Sequence, residues 1–455
     1  MFQIFPSTQT EQNLGHFIVM ASGVGLYAMN LYFTAALMPT VVAEIGGQQY
    51  YAWASTGYLI TAVIATMFVS RMLTTQGAAH TYVTAYLLFA AGTLISAASP
   101  TMELFVTGRA VQGFGAGLLT GLGYAVIRSV LPQTLWTRGT GVVSAMFGIG
   151  TLVGPALGGV FAELNAWRAA FGVLAALAVI LSVVTLRALP RRKPAKSIRL
   201  RVPIPSIIAL ALTSATLSLS STFWVPVMVG AGLLLLIVFL AVDARDANGV
   251  LPRLTYARCN QLKWVYLTVA ALCAGVMVEN FIPLFGQQLA NLSPLLAGLL
   301  GAVLSLGWVV AQLFSANATG KIARRLTRTG PVLLTVGLAS YGVLQAVHAT
   351  AFIVVLWVVM LLIAGIGIGL AFPHLSVAAM SSSDDETEGA KAAAAVSTTQ
   401  LIAFTLTSAI AGNLLALGSA SQLAAARWLV LGIAALTVIG TVTVLFVTGK
   451  ARTAR

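Results

Sequence analysis

The sequence predicts an all-α protein that crosses a membrane about fourteen times, and three features support this fold class. Hydrophobic residues make up 58% of the 455 residues and charged residues only 8%, whereas about a quarter of an ordinary soluble domain is charged. The mean hydropathy is +0.94. The apolar residues are grouped in runs of about 20, the length of a membrane-spanning helix. A chain of this composition needs lipid as its solvent.

The polar breaks between the apolar runs define the expected spans. Two neighbouring runs, 206–221 and 223–242, are separated only by a serine-rich stretch. If this pair were one kinked segment, the chain would cross once less and its C-terminus would change sides. The expected spans are residues 17–41, 52–72, 82–99, 103–131, 138–163, 169–189, 206–221, 223–242, 264–288, 294–317, 331–348, 351–380, 394–418 and 427–448.

The basic residues favour the larger number of crossings. With the N-terminus in the cytoplasm, all but three of the 25 Lys and Arg residues fall in cytoplasmic loops or at cytoplasmic helix ends. The exceptions are Arg109, Arg168 and Arg427. This is the positive-inside pattern, and it predicts cytoplasmic termini. The net charge of +14 is then explained by topology, so no nucleic acid partner is expected.

The remaining compositional signals are plain. The first residues carry no basic region and the apolar run after them is long, so we expect a first helix that is retained and no cleaved signal peptide. Cys259 and Cys273 are expected to be unrelated thiols. No cluster of His and Cys has metal-ligand spacing, and no phosphate-binding GxxxxGK[ST] motif occurs, so no cofactor, metal or direct ATP use is expected. Short loops suggest a bacterial inner membrane.

The chain shows signs of internal duplication. The fourth span contains QGFGAGLLTGLGYAVI from Gln112, and the twelfth contains AGIGIGLAFPHLSVAA from Ala364. Each places glycines two residues apart, although glycine-rich spans also arise independently for close helix packing. Six helices, an extra pair and six helices is the simplest division. It gives an N-terminal bundle at 1–189, a basic linker at 190–205, the extra pair with its loop at 206–262, and a C-terminal bundle at 263–455.

Along nearly its whole length the sequence resembles the fourteen-helix drug:proton antiporter branch of the major facilitator superfamily. In that family the GPxxGG element marks exporters. The resemblance implies the major facilitator fold and favours efflux. The segments that carry it are ALMPTVVAEIGGQQYYAWASTGYLIT, GRAVQGFGAG, GTLVGPALGGVF, AWRAAF and IPLFGQQLANLSPLLAGLLGA.

Arg109 is the clearest functional candidate, because an isolated arginine inside a span costs at least about 2.5–3.5 kcal/mol. Glu103 is not at the i+3 or i+4 spacing of a helical neighbour, so a partner must come from another helix, from substrate or from water. The alternative is snorkelling toward the surface. The family pattern RxxQG matches Arg109, Gln112 and Gly113, and the resemblance implies a role of this arginine in proton coupling.

A glycine stripe in the fifth span is the second candidate. Gly150, Gly154 and Gly158 recur every fourth residue, with Pro155 and Gly159 beside them. This spacing lets another helix approach closely, and a proline permits a bend. The segment is predicted to pack tightly and yet flex during transport; a purely structural stripe is the alternative.

Glu279 is the leading candidate for a titrating group. Of the eleven Asp and Glu residues, it alone is predicted to lie well inside a span, next to Asn280 and before Pro283. A carboxyl in a low-dielectric site can exchange protons near neutrality; the alternative is a carboxylate paired near the outer interface. His374, after Pro373, is the histidine expected to reach a cavity, with helix packing as its alternative role.

Two departures from the family pattern bear on coupling. Asn30 stands where the family usually has a membrane-embedded aspartate, and an amide cannot carry a proton. The loop after the second span has Thr74 and Thr75 at the usual Asp-Arg pair and keeps Gly77. The second-half loop keeps Gly320 and Arg325 but has Arg324 at the acidic place. The charged gating contact is therefore absent or rebuilt, and coupling, if present, is expected to use Glu279, Glu103, Glu163 or a histidine.

The sequence as a whole predicts a secondary transporter and not an enzyme. It predicts an exporter of small amphipathic organic compounds in exchange for protons, present as a monomer in the lipid bilayer. An uncoupled facilitator or importer of one metabolite is the alternative; an embedded enzyme lacks a catalytic cluster, and a passive scaffold would not need Arg109 and Glu279. The predicted substrate-binding residues are Asn30, Tyr27, Tyr58, Gln112, Gln312 and His374.

Overall fold

In the computed structural model the chain is helical throughout the residues that the structure describes. These are 7–130, 136–189, 203–219, 225–246, 249–257, 260–315, 318–382 and 386–448. Most of the linker, Cys259 and the C-terminal tail lie outside these ranges. The α-helices are α1 (Ser7–Ile45), α2 (Tyr51–Thr66), α3 (Val69–Ala97), α4 (Met102–Val130), α5 (Trp136–Glu163), α6 (Trp167–Ala188), α7 (Ile204–Leu219), α8 (Val225–Arg245), α9 (Leu262–Val276), α10 (Ile282–Ala290), α11 (Pro294–Ser315), α12 (Gly320–Val343), α13 (Ala351–Met380), α14 (Glu386–Leu417) and α15 (Gln422–Thr448).

Every expected span corresponds to helix in the structure, and ten helices among the described residues are long and apolar enough to cross a membrane. The number fourteen is therefore reached by the apolar runs but not by this stricter measure. The start of α12 differs clearly from expectation. α12 begins at Gly320, well before residue 331, because its first turns are basic and carry no apolar signal.

The ninth span is broken rather than continuous. α9 ends at Val276, a short 3-10 helix follows at Met277–Asn280, and α10 then begins at Ile282 with proline at its second position. Pro283 has no N–H to donate to the carbonyl of Glu279 four residues earlier. The break therefore places the predicted titrating residue in irregular backbone.

The chain forms two compact units. The first comprises residues 1–50 and 57–202, and the second comprises 51–56 and 203–455. In the first unit, α1 packs on α5, and α3 packs on α4 and α6. In the second, α9 packs on α14, and α12 packs on α13 and α15. The extra helices α7 and α8 pack on each other, and α7 also packs on α14.

Gly77 interrupts α3 close to the start of its apolar stretch. Its φ of 78° and ψ of 168° are outside the helical region, and this left-handed φ is one that glycine adopts without strain. Residues before it run as a short helix, and the apolar stretch Thr75–Ala97 satisfies the length and hydropathy of a span. The glycine kept in the predicted loop therefore has a backbone role.

Candidate functional site

Arg109 is completely buried in α4, with an exposed fraction of 0%. It lies seven residues after the start of the helix at Met102, or about 10 Å along its axis. A snorkelling arginine would keep its guanidinium in water. The snorkelling alternative is therefore wrong, and Arg109 belongs to the interior of the first unit.

Amide groups from two helices hold the guanidinium. Arg109 Nη1 donates to Asn30 Oδ1 of α1 at 3.3 Å and to Gln112 Oε1 one turn further along α4. Gln112 Nε2 donates to the same Asn30 oxygen at 3.0 Å and to Thr93 Oγ1 of α3 at 2.7 Å. Thr93 Oγ1 in turn donates a hydrogen bond to the Phe89 carbonyl oxygen at 2.6 Å. The network thus joins three helices of one unit.

Aromatic rings cover the other side of this site. The Arg109 Cζ lies 4.2 Å from the ring centroid of Tyr58 in α2, within the range of a cation–π contact. Tyr27 of α1 stacks on Tyr58, with centroids 6.2 Å apart and planes 17° from parallel. Asn30, Tyr58, Thr93, Arg109 and Gln112 are referred to below as the Arg109 cluster.

The chemistry of the Arg109 cluster is that of a cation held by neutral dipoles. Amide oxygens and a π-face stabilise the guanidinium through hydrogen bonds and the ring quadrupole. Each of these groups is formally neutral. Such a site favours the approach of a carboxylate, a phosphate or another electron-rich group.

The structure brings together Asn30, Tyr27, Tyr58, Arg109 and Gln112 from the predicted set. Thr93 was missed. It lies 19 residues before Gln112, and a threonine in an apolar span gives no sequence signal of such a contact, because most intramembrane threonines donate to the carbonyl one turn back. The assignment of these residues to substrate remains a prediction.

Glu279 lies in the second unit, in the 3-10 break of the ninth span. It is 2% exposed, and Ser305 Oγ of α11 donates to its Oε2 at 3.0 Å. Neighbouring Asn280 is equally buried, and its Oδ1 has no partner among the described residues. A carboxyl in this position can exist as a carboxylate that accepts from Ser305 or as a neutral acid.

Gln312 and His374 also lie in the second unit. Gln312 Oε1 accepts from Trp308 Nε1 within α11 at 2.8 Å. His374 Nε2 of α13 lies 3.0 Å from Ser315 Oγ, and Ser315 also donates to the Leu370 carbonyl at 2.8 Å. Both predicted residues therefore contact α11, which also carries the partner of Glu279.

The glycine stripe of α5 faces α1. A Cβ added at Gly150 would lie 2.8 Å from the Gly25 carbonyl oxygen, and one at Gly154 would lie 2.5 Å from the Met29 carbonyl oxygen. At Gly158 it would lie 2.6 Å from the Phe33 oxygen. Pro155 and Gly159 are buried beside the stripe. The close approach of two helices is thus present; the bending role stays a prediction.

A second charged cluster was not predicted. Glu44, at the end of α1, accepts from Trp167 Nε1 at 2.5 Å and forms an ion pair with Arg168 at the start of α6. Arg168 Nη2 also donates to the Ser99 carbonyl at 3.0 Å. Among the residues that the structure describes, no group of three His, Cys, Asp or Glu side chains could hold a metal.

Apolar helices with buried arginine, glutamate and amide groups in their interior define a multi-pass membrane protein. Comparison with known proteins identifies its family. The chain belongs to the Major Facilitator Superfamily, whose family model matches residues 20–403; it is a membrane transporter.

Two similar proteins are described as efflux transporters. The chain is similar to a probable multidrug-efflux transporter of Mycobacterium tuberculosis, with 39% identity over 440 residues that cover 94% of this chain and 93% of the relative. It is also similar to a multidrug efflux pump of Staphylococcus aureus, with 26% identity over 301 residues, 64% of this chain and 66% of the relative.

Solved structures share the fold. A D-xylose–proton symporter superposes with a TM-score of 0.67 at 15% identity, covering 95% of this chain and 97% of the other. A nucleoside transporter gives a TM-score of 0.68 at 13% identity, covering 96% and 99%. At such low identity the likeness is one of fold alone.

Proposed function

We propose that this protein exports small amphipathic organic compounds in exchange for protons, by alternating access of two six-helix bundles. The chain would cross the bacterial cytoplasmic membrane about fourteen times, with both termini in the cytoplasm, and act as a monomer. The bundles correspond to residues 1–189 and 263–455, joined by the linker at 190–205 and the extra pair with its loop at 206–262. The named efflux relatives support the direction of transport.

The observation that carries the proton coupling is the burial of Glu279. A charged carboxylate in the membrane interior is costly, and protonation removes that cost. Each exchange of a proton at Glu279 therefore changes the free energy of the conformations that bury or expose it. The hydrogen bond from Ser305 is compatible with both protonation states, because a hydroxyl can donate to the carboxylate or accept from the acid.

The Arg109 cluster is proposed to receive the cargo. A positive guanidinium surrounded by amide and aromatic groups suits neutral, zwitterionic or anionic compounds better than multivalent cations. Tyr27 and Tyr58 add flat aromatic surface for amphipathic molecules. The α1–α5 contact at Gly154 would adjust during the conformational change.

A second candidate function is uncoupled transport of one metabolite. The observation in its favour is Asn30, whose amide occupies the centre of the Arg109 cluster and cannot release a proton. Under this alternative Glu279 would be a packing residue.

The test uses purified protein in liposomes with an internal pH-sensitive dye. Three fluorescent probes of different charge are offered: ethidium as a cation, carboxyfluorescein as an anion and Nile red as a neutral compound. Wild type is compared with Glu279→Gln and with Glu163→Gln, whose side chain is exposed at the end of α5. We expect probe-dependent proton flux in wild type and Glu163→Gln and its loss in Glu279→Gln. Probe movement without proton flux in wild type would establish the uncoupled alternative.

A further inference from the structure

One face of α11 carries regularly spaced polar side chains inside an apolar helix. Ser305, Trp308, Gln312 and Ser315 follow one another at intervals of three, four and three residues, the spacing that places side chains on one side of a helix. These four residues are referred to as the α11 polar face. Ser305, Trp308 and Ser315 are at most 6% exposed. The rest of the helix is almost wholly apolar.

The two ends of the α11 polar face each meet a titratable group of another element. Ser305 donates to Glu279 at 3.0 Å, and Ser315 lies 3.0 Å from His374. The ten residues from Ser305 to Ser315 correspond to about 15 Å of helix. Between them Trp308 and Gln312 are bonded to each other. In the proposed topology Glu279 lies toward the outside and His374 toward the cytoplasm.

The hydrogen bonds at Ser315 define which nitrogen of His374 can take a proton. A serine hydroxyl has one hydrogen, and Ser315 donates it to the Leu370 carbonyl at 2.8 Å. The 3.0 Å contact with His374 is then a bond in which Nε2–H donates to Ser315 Oγ. Nδ1 consequently carries the lone pair. Neutral His374 is thus held as a base whose free nitrogen can be protonated.

We propose that the α11 polar face is the route by which protons cross the second unit, with Glu279 as the outer group and His374 as the inner group. The inference rests on the proposed proton coupling and assigns Gln312 and His374 to the proton rather than to cargo. A proton entering from outside binds the Glu279 carboxylate. Water molecules along the polar face would pass it on beyond Ser315 to Nδ1 of His374, the ring nitrogen that does not contact this serine, and the ring becomes an imidazolium. Release of that proton to the cytoplasm restores both groups.

Other titratable groups on the surrounding helices are engaged elsewhere. Several of them are tied to groups away from the α11 polar face, and the basic residues near the start of α12 are exposed. Their contacts are Tyr266 with the Ala392 carbonyl, Lys263 with the Trp264 ring, Arg328 with Thr448, Arg427 with the Gln345 carbonyl and Cys273 with Gln400; Tyr341 stacks edge-on against Trp357, and Lys321, Arg324 and Arg325 lie on the exposed part of α12.

The test measures protons moved per probe molecule in the same liposomes. His374→Gln keeps an N–H donor for Ser315 but cannot take a proton, and Trp308→Phe keeps the ring but removes its N–H. The matched control is Thr335→Val. It removes a part-buried hydrogen bond between α12 and α15 of the second unit, in which the hydroxyls of Thr335 and Thr437 are 2.8 Å apart. This contact does not involve α11. We expect His374→Gln to lower the proton flux per probe at least tenfold, with the probe's Kd within twofold of wild type. Trp308→Phe should slow it, and Thr335→Val should stay within twofold.

The outcomes separate this inference from the function beneath it. Absence of proton flux in wild type would contradict the proposed coupling itself. Loss of flux in Glu279→Gln together with normal flux in His374→Gln would leave antiport standing and overturn the route. Equal losses in His374→Gln and Thr335→Val would also overturn it, because the effect would then reflect packing alone.

A second measurement needs no transported compound. The chain has 4 histidines, so ¹⁵N-histidine NMR of the full-length protein in detergent can resolve His374 by comparison with His374→Gln. The route requires neutral His374 to carry its proton on Nε2 and to gain a second proton on Nδ1 between about pH 5 and 8, the range in which histidine titrates. The opposite tautomer, or a ring that stays neutral to the acid end, would overturn it.

Discussion

At the scale of single residues, the three basic side chains that the proposed topology places away from the cytoplasm are each held by different chemistry. Arg109 is buried among amide and aromatic groups. Arg168 pairs with Glu44 at the surface, and Arg427 donates to the Gln345 carbonyl at 3.0 Å near the end of α12. Of the three, only the buried Arg109 would strongly destabilise the fold without its partners. We therefore expect a functional role for Arg109.

Asn30 is the residue on which the Arg109 cluster depends most. Its Oδ1 accepts from both Arg109 and Gln112. Asn30→Leu would remove one of the acceptors that each of these buried donors uses, at a cost of up to about 1–3 kcal/mol each and more for a charged group. Asn30→Asp keeps an acceptor in place and adds a counter-charge. We expect a clear fall in melting temperature for Asn30→Leu and none for Asn30→Asp, measured by scanning fluorimetry in detergent.

Thr34→Val is the control for this pair, because Thr34 reaches the same Asn30 oxygen from one turn away at 3.4 Å, a marginal hydrogen bond. Its melting temperature should stay near that of wild type. Equal stability of Asn30→Leu and wild type would show that the cluster does not hold the first unit together.

The sequence could identify Arg109 and Gln112 as candidates because charged and amide groups stand out against apolar neighbours. It could not show that Asn30 and Thr93 share one glutamine, since these contacts cross 82 and 19 residues of chain. Glu44 was missed for the same reason, as its ion pair with Arg168 joins the ends of α1 and α6. Residue type predicted the polar sites, and tertiary packing decided their partners.

At the scale of elements, the alternating glycines of α4 and α13 have the same helix-packing role in the two units. Gly113 in α4 meets the backbone of α2, whereas Gly115 meets that of α3. Gly365 in α13 meets the backbone of α11, whereas Gly367 meets that of α12. Glycines two residues apart thus let one helix pack closely on two neighbours. This repeated packing is the arrangement that an internal duplication predicts.

The contact of α5 with α1 gives a prediction about Gly154. A methyl group at Gly154 would lie 2.5 Å from the Met29 carbonyl oxygen, whereas one at Gly172 in α6 has nothing within 4 Å. We expect Gly154→Ala to push the two helices apart and to lower both melting temperature and transport rate. Gly172→Ala should be neutral or stabilising by up to about 1 kcal/mol, because alanine favours helix. Similar behaviour of the two variants in fluorimetry and in the liposome assay would contradict this account.

The segment after α8 is organised by one buried carboxylate. Asp243 accepts from the backbone N–H groups of Val250 at 2.6 Å and Leu251 at 3.0 Å and from the Tyr256 hydroxyl at 2.8 Å. Burial, together with the charge of Asp243 and this hydrogen bond, raises the pKa of Tyr256 above its ordinary range. The phenol therefore stays a neutral donor throughout the physiological pH range.

Loss of Asp243 should release this segment. Asp243→Ala leaves two backbone donors without their acceptor, and we expect trypsin to cleave after Arg253, an exposed residue, at least tenfold faster than in wild type. Asp246→Ala removes a neighbouring acid and serves as the control. Fragment masses measured over time give the cleavage rate. Unchanged protection in Asp243→Ala would mean that other contacts hold the segment.

At the scale of the whole molecule, hydropathy predicted where helices lie better than how each one meets the membrane. Every expected span contains helix, yet the described part of α7 has 16 residues and rises only about 24 Å, less than the hydrocarbon thickness of about 30 Å. The break at Met277–Asn280 was missed, because Val, Glu and Asn there are compatible with helix and its sequence signal, Pro283, is also tolerated in continuous membrane helices.

The extra pair decides the number of crossings and hence the side of the C-terminus. Nearly all basic residues after this pair lie in loops that face the cytoplasm only if the pair crosses the membrane twice. We therefore expect α7 to span the membrane in spite of its length. Local thinning of the bilayer would compensate for the mismatch. In a variant with Cys259 and Cys273 replaced by serine, Ser221→Cys should then react with a membrane-impermeant maleimide added to intact cells. Ala247→Cys, beyond α8, should react only after the cells are opened. If Ser221→Cys reacted only in opened cells, α7 and α8 would form one crossing, and every basic loop of the second half would face outward, against the charge pattern that the rest of the chain obeys.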